Sequence, residues 1–276
     1  MATLFHKPGP PGSVFLATPA YAGVEPNYAF ALFQTATELA KAGIAAEIAI
    51  QAGDCHVDDA RNRLVKTFLA TECTDLVFLD ADLRWQPRDL IKLLSYDRDV
   101  VGGAYPLKQD PAEFAVEWLD DTPNVVADGD GLIEVKGLPT GVLRIRRAVL
   151  ERLAFHAPKF AAKGDDKPTT PLIFERSLSD GRRVGGDITF CHKARAAGFK
   201  VHLMPEPGFE HAGTKLWRGS LGFQLRSLAK GPIRTAIDEI AAGTASSDTY
   251  DRLHEAWGNP YAASGDLLCA ASLLLK

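Results

Sequence analysis

Cysteine is scarce in this sequence: Cys55, Cys73, Cys191 and Cys269 stand far apart, with no C-x-x-C pair among them. Thiols scattered in this way frame neither a disulfide scaffold nor a zinc site, and read as reduced, partly buried side chains of a cytoplasmic protein. Long apolar runs are also missing. Nowhere do about eighteen apolar residues follow one another, and the opening "MATLFHKPGPPGSVFLATPAY" puts no long apolar core behind a basic start. Neither a membrane span nor a signal peptide is expected. A large charge excess is lacking too: a formal charge of −4 and a pI near 6.0 argue against a general binder of nucleic acid or membrane surfaces. After the first apolar run stands "ATPAYAG", which has the glycine spacing of neither a P-loop nor a dinucleotide fingerprint. Phosphates cradled by backbone amides alone are therefore disfavoured. No internal repeat is present.

What the chain does have is enough apolar residue, 46% of 276, to bury a real core. Its first half alternates short apolar runs with helical patterns. "SVFLAT" precedes a helix from about Pro26 to Lys41; "AAEIAI" precedes "VDDARNRLVKTFLA"; "DLVFLD" precedes "PRDLIKLLS" and "DVVGGAY". Apolar runs joined by helices predict parallel strands covered on both faces, hence a Rossmann-like three-layer sandwich with a mostly parallel sheet. From Phe114 to Val135 the pattern shortens around "DGDG", which predicts a small antiparallel excursion. Helix "RRAVLERL", a polar loop from Ala157 to Pro171, helix "DITFCHKARAAG" and strand "KVHLM" follow. After Gly213 comes a basic run holding Lys215, Arg218, Arg226, Lys230 and Arg234, then a helical tail ending in the apolar "LLCAASLLLK". The expected organisation is a domain over 1–213, with a donor half at about 13–104 and an acceptor half at about 105–213. A basic lid segment and helical appendage over 214–276 completes it.

The chemistry concentrates in "DLVFLDADLRW", where a buried strand runs straight into Asp80 and Asp82. Two carboxylates at the mouth of a strand repel each other and need a positive partner, for which a divalent cation is suited. The C-terminal edge of a parallel sheet is where open α/β folds bind ligands, and hard oxygen ligands suit Mg²⁺ or Mn²⁺. The same pair also arises where Asp82 caps a turn and Asp80 meets an arginine.

The stretch Val77 to Asp82, with "GVLRIRRAVLERL", "GGDITFCHKARAAGFKV" and "EPGFEHAG" in that order downstream, resembles the D-x-D glycosyltransferases of GT-A fold, family-two-like, over roughly Ser13 to Gly213. The resemblance implies a nucleotide-diphosphate sugar donor, UDP-sugar favoured, on Mn²⁺ or Mg²⁺. Asp82 would be the direct ligand, Asp80 would lie nearer the donor ribose, and His211 would return to the metal or diphosphate. Asp187 matches the family's acid-Asp motif and would be the general base of an inverting transfer; the same position suits an N-cap of a helix from about Ile188. Gly186 stands where that family commonly has an acid, which leaves Asp187 as the only acid of the motif. Thr18, Pro19 and Tyr21 in "ATPAYAG", Arg61 in "DDARNRLV" and Lys215 are expected donor contacts. Tyr105, Lys108 and Thr140 are expected acceptor contacts. The acceptor hydroxyl would belong to a glycan, a lipid-linked glycan, a protein or a hydroxymethylated DNA base. A sugar-nucleotide pyrophosphorylase is the alternative enzyme class, but it needs a Gly-rich basic loop that "ATPAYAG" is not; a non-catalytic nucleotide-sugar binding module is the third reading.

Overall fold

The computed structural model describes residues 12–120, 125–162, 164–179, 181–206, 208–228, 232–249 and 251–252. A seven-stranded sheet organises them. Its strands are β1 (Ser13–Ala20), β2 (Ala45–Ala52), β3 (Asp75–Leu79), β4 (Val100–Gly103), β5 (Ile133–Val135), β6 (Val142–Arg146) and β7 (Val201–Met204). They lie side by side in the order β2-β1-β3-β6-β4-β7-β5. Helices α1 (Pro26–Lys41), α2 (Val57–Leu69), α3 (Pro87–Ser95), α4 (Arg147–His156) and α5 (Gly186–Ala196) flank it, and α6 (Leu221–Leu228) and α7 (Pro232–Ala241) follow.

The apolar runs are continuous because both faces of the sheet are covered. Along β1 and β3, Val14, Leu16, Val77 and Leu79 pack with Tyr28 and Leu39 of α1 and Leu90 and Leu93 of α3. The alternate residues Phe15, Leu76 and Phe78 pack with Val65 and Phe68 of α2, Val149 of α4 and Phe190 of α5. Period-two alternation thus supplies two cores, and the result is a three-layer Rossmann-like α/β sandwich.

The sheet is not wholly parallel. β6 runs antiparallel between β3 and β4, pairing Val77 with Arg144 and Val101 with Arg144 from its two sides. The reason lies in the connection: no helix carries the chain back after β4, so the excursion that follows delivers β6 from the C-terminal edge and it must descend the sheet. The excursion itself is held by the bridges Pro106 to Phe114 and Glu117 to Gly137, and its strand β5 pairs antiparallel with β7 at the sheet edge. The reversal also buries an ion pair. Arg144 Nη1 meets Asp75 Oδ1 at 3.1 Å and the Arg98 carbonyl at 2.6 Å, while Nη2 reaches the Tyr96 carbonyl at 2.7 Å.

Helix α1 starts and stops where its sequence signals put it. Proline occupies the first turn, where its missing N–H costs nothing. Gly43 ends the turn beyond the helix at φ 71°, a left-handed conformation that suits glycine. Among the described residues no helix is long and apolar enough to cross a membrane. Cys73 and Cys191 are buried and Cys55 is exposed; Cys269 and the apolar tail "LLCAASLLLK" lie outside the described residues, as do the side chains of Arg226, Lys230 and Arg234.

Candidate active site

The C-terminal edge of the sheet gathers most of the expected chemistry. β3 ends at Leu79, and the Asp80 N–H donates to the Gly141 carbonyl at 2.9 Å, tying the aspartate turn to the start of β6. The chain then turns, and Leu83–Arg84 pairs with Glu210–Ala212, which in turn pairs with Leu216–Trp217. In this small sheet Leu83 stands opposite His211, and the Ala212 N–H donates to the Asp82 carbonyl at 2.8 Å. Backbone pairing therefore delivers His211 to Asp82 across more than a hundred residues of sequence.

The two aspartates have different partners. Asp80 Oδ1 accepts from Arg61 Nη2 at 3.2 Å, so the arginine pairing that an aspartate at this position permits is realised. Asp82 Oδ2 accepts from Lys108 Nζ at 2.5 Å and faces His211 Nε2 at 3.3 Å. Burial opposes ionisation of Asp82, but hydrogen bonds and charge from His211 and Lys108 outweigh it and hold the carboxyl down at about 2.

His211 is placed by both ring nitrogens. Nδ1 lies 2.9 Å from the Pro106 carbonyl, and the ring meets Tyr105 edge-on with centroids 5.3 Å apart. A carbonyl oxygen only accepts, so Nδ1 carries the hydrogen. Nε2 then aims a lone pair at a carboxylate unless it holds a second proton or shares a cation with Asp82. A metal-binding histidine commonly donates its other ring N–H to a backbone carbonyl in this way. Among the described residues no three His, Cys, Asp or Glu side chains are grouped to hold an ion. Mg²⁺ is usually bound through one or two carboxylates together with water and substrate phosphate oxygens. Asp82 supplies such a carboxylate with the His211 imidazole beside it, and Asp80, facing Arg61, stands apart.

Beside the aspartates opens a cleft of about 420 Å³ lined by Pro19, Tyr21, Gly23, Asp54, Asp80 and Asp82. Its floor is fixed, since the Glu25 N–H donates to the Ala81 carbonyl at 2.9 Å. Pro19 and Tyr21 line this cleft, with Tyr21 exposed. Thr18 does not line it: the residue is fully buried and its hydroxyl is hydrogen bonded to Tyr28, because β1 alternation turns it inward. Burial, with the Asp80 charge adding to it against the Thr18 bond, pushes the Tyr28 hydroxyl up to about 12.

Other expected contacts are placed differently. Tyr105 lies behind Asp80 rather than on an open acceptor face: it is buried and its hydroxyl accepts the Gly141 N–H at 3.2 Å. Thr140 is fully buried, with no hydrogen-bond partner for its hydroxyl among the described residues. Lys215 does not line the cleft; its ammonium pairs with Asp110 and lies 5.6 Å from the Trp217 ring centroid. Lys108 reaches the site, but as the partner of Asp82. The segment expected as a lid forms an arm of the small sheet, with Arg218 paired to Glu210 at 2.8 Å.

Asp187 is the second residue of α5, whose N-cap is Gly185, two residues earlier than the sequence suggests. Its Oδ1 accepts the Ile188 N–H at 2.9 Å. Arg61 connects this end of the site with the aspartates: its guanidinium is more than nine-tenths buried and feels the charges of Asp80 and Asp187. Its Nε has no hydrogen-bond partner among the described residues. The neighbouring Asn62 is structural. Its amide donates to the Phe174 carbonyl at 2.8 Å and accepts from the Ile173 and Phe174 N–H groups at 3.0 and 2.8 Å.

Sequence reasoning missed Asp58. It pairs with Arg176 at 3.5 Å and sits against the first turn of α5. The available signal was its place in "VDDARNRLV", three residues before Arg61 and so on the same helix face.

No protein-family description and no curated protein matches the chain. Among solved structures it is similar to A197 from STIV, at 20% identity and a TM-score of 0.47, over 76% of this chain and 90% of that one. It is also similar to GalNAc-T7 crystallised with UDP, GalNAc and Mn²⁺, at 12% identity and a TM-score of 0.38. There the likeness covers 72% of this chain and 43% of that one, so this chain spans less than half of its length. Likenesses this weak assign neither activity nor ligand to the present chain.

Proposed function

We propose that the protein is a metal-dependent glycosyltransferase of GT-A type that moves a sugar from a nucleoside-diphosphate donor, UDP-sugar favoured, to an acceptor hydroxyl. The observation that carries this reading is His211: a ring whose Nδ1 is committed to the Pro106 carbonyl and whose Nε2 faces Asp82 at 3.3 Å. That arrangement turns an imidazole nitrogen and a carboxylate oxygen toward one point, beside the cleft lined by Pro19 and Tyr21.

In this reading the cleft along Pro19 and Tyr21 takes the nucleoside, with the diphosphate toward Asp82 and His211, which hold Mn²⁺ or Mg²⁺. The cation supplies charge neutralisation of the departing diphosphate. Arg61 and the Gly141 carbonyl hold Asp80 as a wall of the cleft. Asp187, at the N-terminal turn of α5, accepts the proton of the acceptor hydroxyl as its oxygen attacks the anomeric carbon.

The test is nucleotide release from a panel of UDP- and GDP-sugars, with Mn²⁺ or with chelator, for the wild type and Asp82→Asn. Release that needs the metal and falls by roughly two orders of magnitude or more in the variant is expected. Undiminished release by Asp82→Asn in chelator would exclude the metal role.

A further inference from the structure

The stretch from Arg176 to Arg183 sets three arginines against one aspartate, in a chain whose formal charge is −4. Its two halves pair as an antiparallel arm, Ser177–Ser179 with Arg182–Val184, immediately before α5. Val184 is three residues from Asp187, so the root of the arm lies at most about 11 Å along the chain from that residue.

The way the arm is anchored decides what it presents. Ser177 Oγ and Thr189 Oγ1 are hydrogen bonded at 2.8 Å, which turns one face of the arm onto α5. Side chains alternate across a strand, so the next residue, Leu178, points away from the body, and it is 78% exposed. Arg183 stands directly across from Leu178 and shares that outer face. Arg182 and Arg183 are exposed and have no carboxylate partner among the described residues. Arg176, at the root, is 54% exposed and reaches Asp58 only at 3.5 Å.

We propose that this arm seats the protein on an anionic lipid surface, with Leu178 entering the headgroup boundary and Arg182 and Arg183 meeting lipid phosphates. The acceptor is then a hydroxyl carried at that surface and brought to Asp187, a step that rests on the transferase reading. Guanidinium groups fork onto phosphate oxygens, and a polyanion such as nucleic acid would need the arginines alone. The leucine among them favours a partner that joins negative charge to an apolar layer.

The test is co-sedimentation with vesicles of phosphatidylcholine, alone or mixed equally with phosphatidylglycerol. Wild type should bind the mixed vesicles only, and less as salt is added, because surface charges are screened. Arg182→Ser/Arg183→Ser should weaken binding by about 25-fold, and Leu178→Ser by roughly tenfold. Melting temperatures should hold, since these positions are exposed. Lys41→Ser, which removes a charge from an exposed position on α1, should bind as wild type does. Absence of binding to the mixed vesicles overturns the proposal. So does a loss in Lys41→Ser equal to that of the arm variants, or duplex DNA that displaces the protein from the vesicles. The vesicle assay needs no turnover. Binding as expected by a protein that releases nucleotide from no donor keeps the lipid surface and removes the transferase reading; nucleotide release without vesicle binding does the reverse.

Discussion

Gly141 offers the sharpest test of how the site is built. Its N–H donates to the Tyr105 hydroxyl at 3.2 Å and its carbonyl accepts from the Asp80 N–H at 2.9 Å. A β-carbon there would come within 2.4 Å of the Tyr105 Oη, 2.6 Å of its Cζ and 2.8 Å of Asp80 Oδ2, all inside the 3.0 Å that real β-carbons keep. Tyr105 is 7% exposed and Arg61 grips Asp80, so neither neighbour has free space to enter. Gly141→Ala is therefore an overpacking change, expected to cost about 1–3 kcal/mol of stability. It should shift the denaturation midpoint at constant slope. Because Asp80 must turn aside, nucleotide release should also fall, by about 100-fold for a displacement near 1 Å.

A double-mutant cycle isolates the cause. Tyr105→Phe leaves the buried Gly141 N–H without an acceptor, at about 1–3 kcal/mol. It also removes the atom nearest to the new methyl group. In Gly141→Ala/Tyr105→Phe part of the clash is gone, so the pair should cost less than the sum of the single changes by about 0.5 kcal/mol or more. Strict additivity, or a Gly141→Ala cost below about 0.5 kcal/mol, would refute the packing argument.

Two further changes probe the scaffold. Burial, opposed by Arg88, the Gln86 backbone and Lys92, pushes the Asp89 carboxyl up to about 6 from the ordinary 3.8. The folded chain then binds that proton more tightly than the unfolded one, so Asp89 favours folding below about pH 4 and its contribution declines between about pH 4 and 6. Asp89→Asn should accordingly raise stability at pH 7.5 by about 1–3 kcal/mol, and identical denaturation curves would contradict this. Burial, opposed by Asp75, draws the Arg144 guanidinium down to about 10. Arg144→Met strands Asp75 and should cost about 3–5 kcal/mol, whereas Asp75→Leu/Arg144→Met should cost less; a double variant worse than the single one would exclude the ion-pair account.

The elements that read correctly from the sequence are those whose residues answer to local rules. α1 needs only its proline start, its apolar face and Gly43; β3 needs only four apolar residues ahead of Asp80. The place of Asp80 and Asp82 at the sheet edge followed from that strand alone. Tyr105 and Thr140 were misjudged because burial depends on which way a chain turns after its strand, and the excursion after β4 folds both behind Asp80. Asp58 escaped notice for a related reason. Its surroundings depend on α5 arriving from more than a hundred residues away with Gly186 at the point of contact, and no local pattern in "VDDARNRLV" contains that information. The antiparallel β6 was likewise hidden, since an apolar strand carries no mark of its direction.

The division of labour between the aspartates has a consequence for how a cation would enter. Two carboxylates one residue apart repel each other, and this fold separates their compensation instead of sharing one partner. Asp80 is answered by Arg61, whose side chain is 7% exposed and is enclosed by the sheet edge and α2. Asp82 is answered by Lys108, whose side chain is 38% exposed and passes over Gly213, where a β-carbon would stand 3.2 Å from the lysine Cδ. Removing Arg61 from Asp80 would leave a buried guanidinium without its anion, a change of several kcal/mol. Lifting Lys108 from Asp82 returns a flexible ammonium to water at the small cost typical of an exposed pair, about 1 kcal/mol or less. On the transferase reading Asp82 and His211 would hold a divalent cation with Lys108 moved aside, and Asp80, kept by Arg61, would remain as a wall beside the donor.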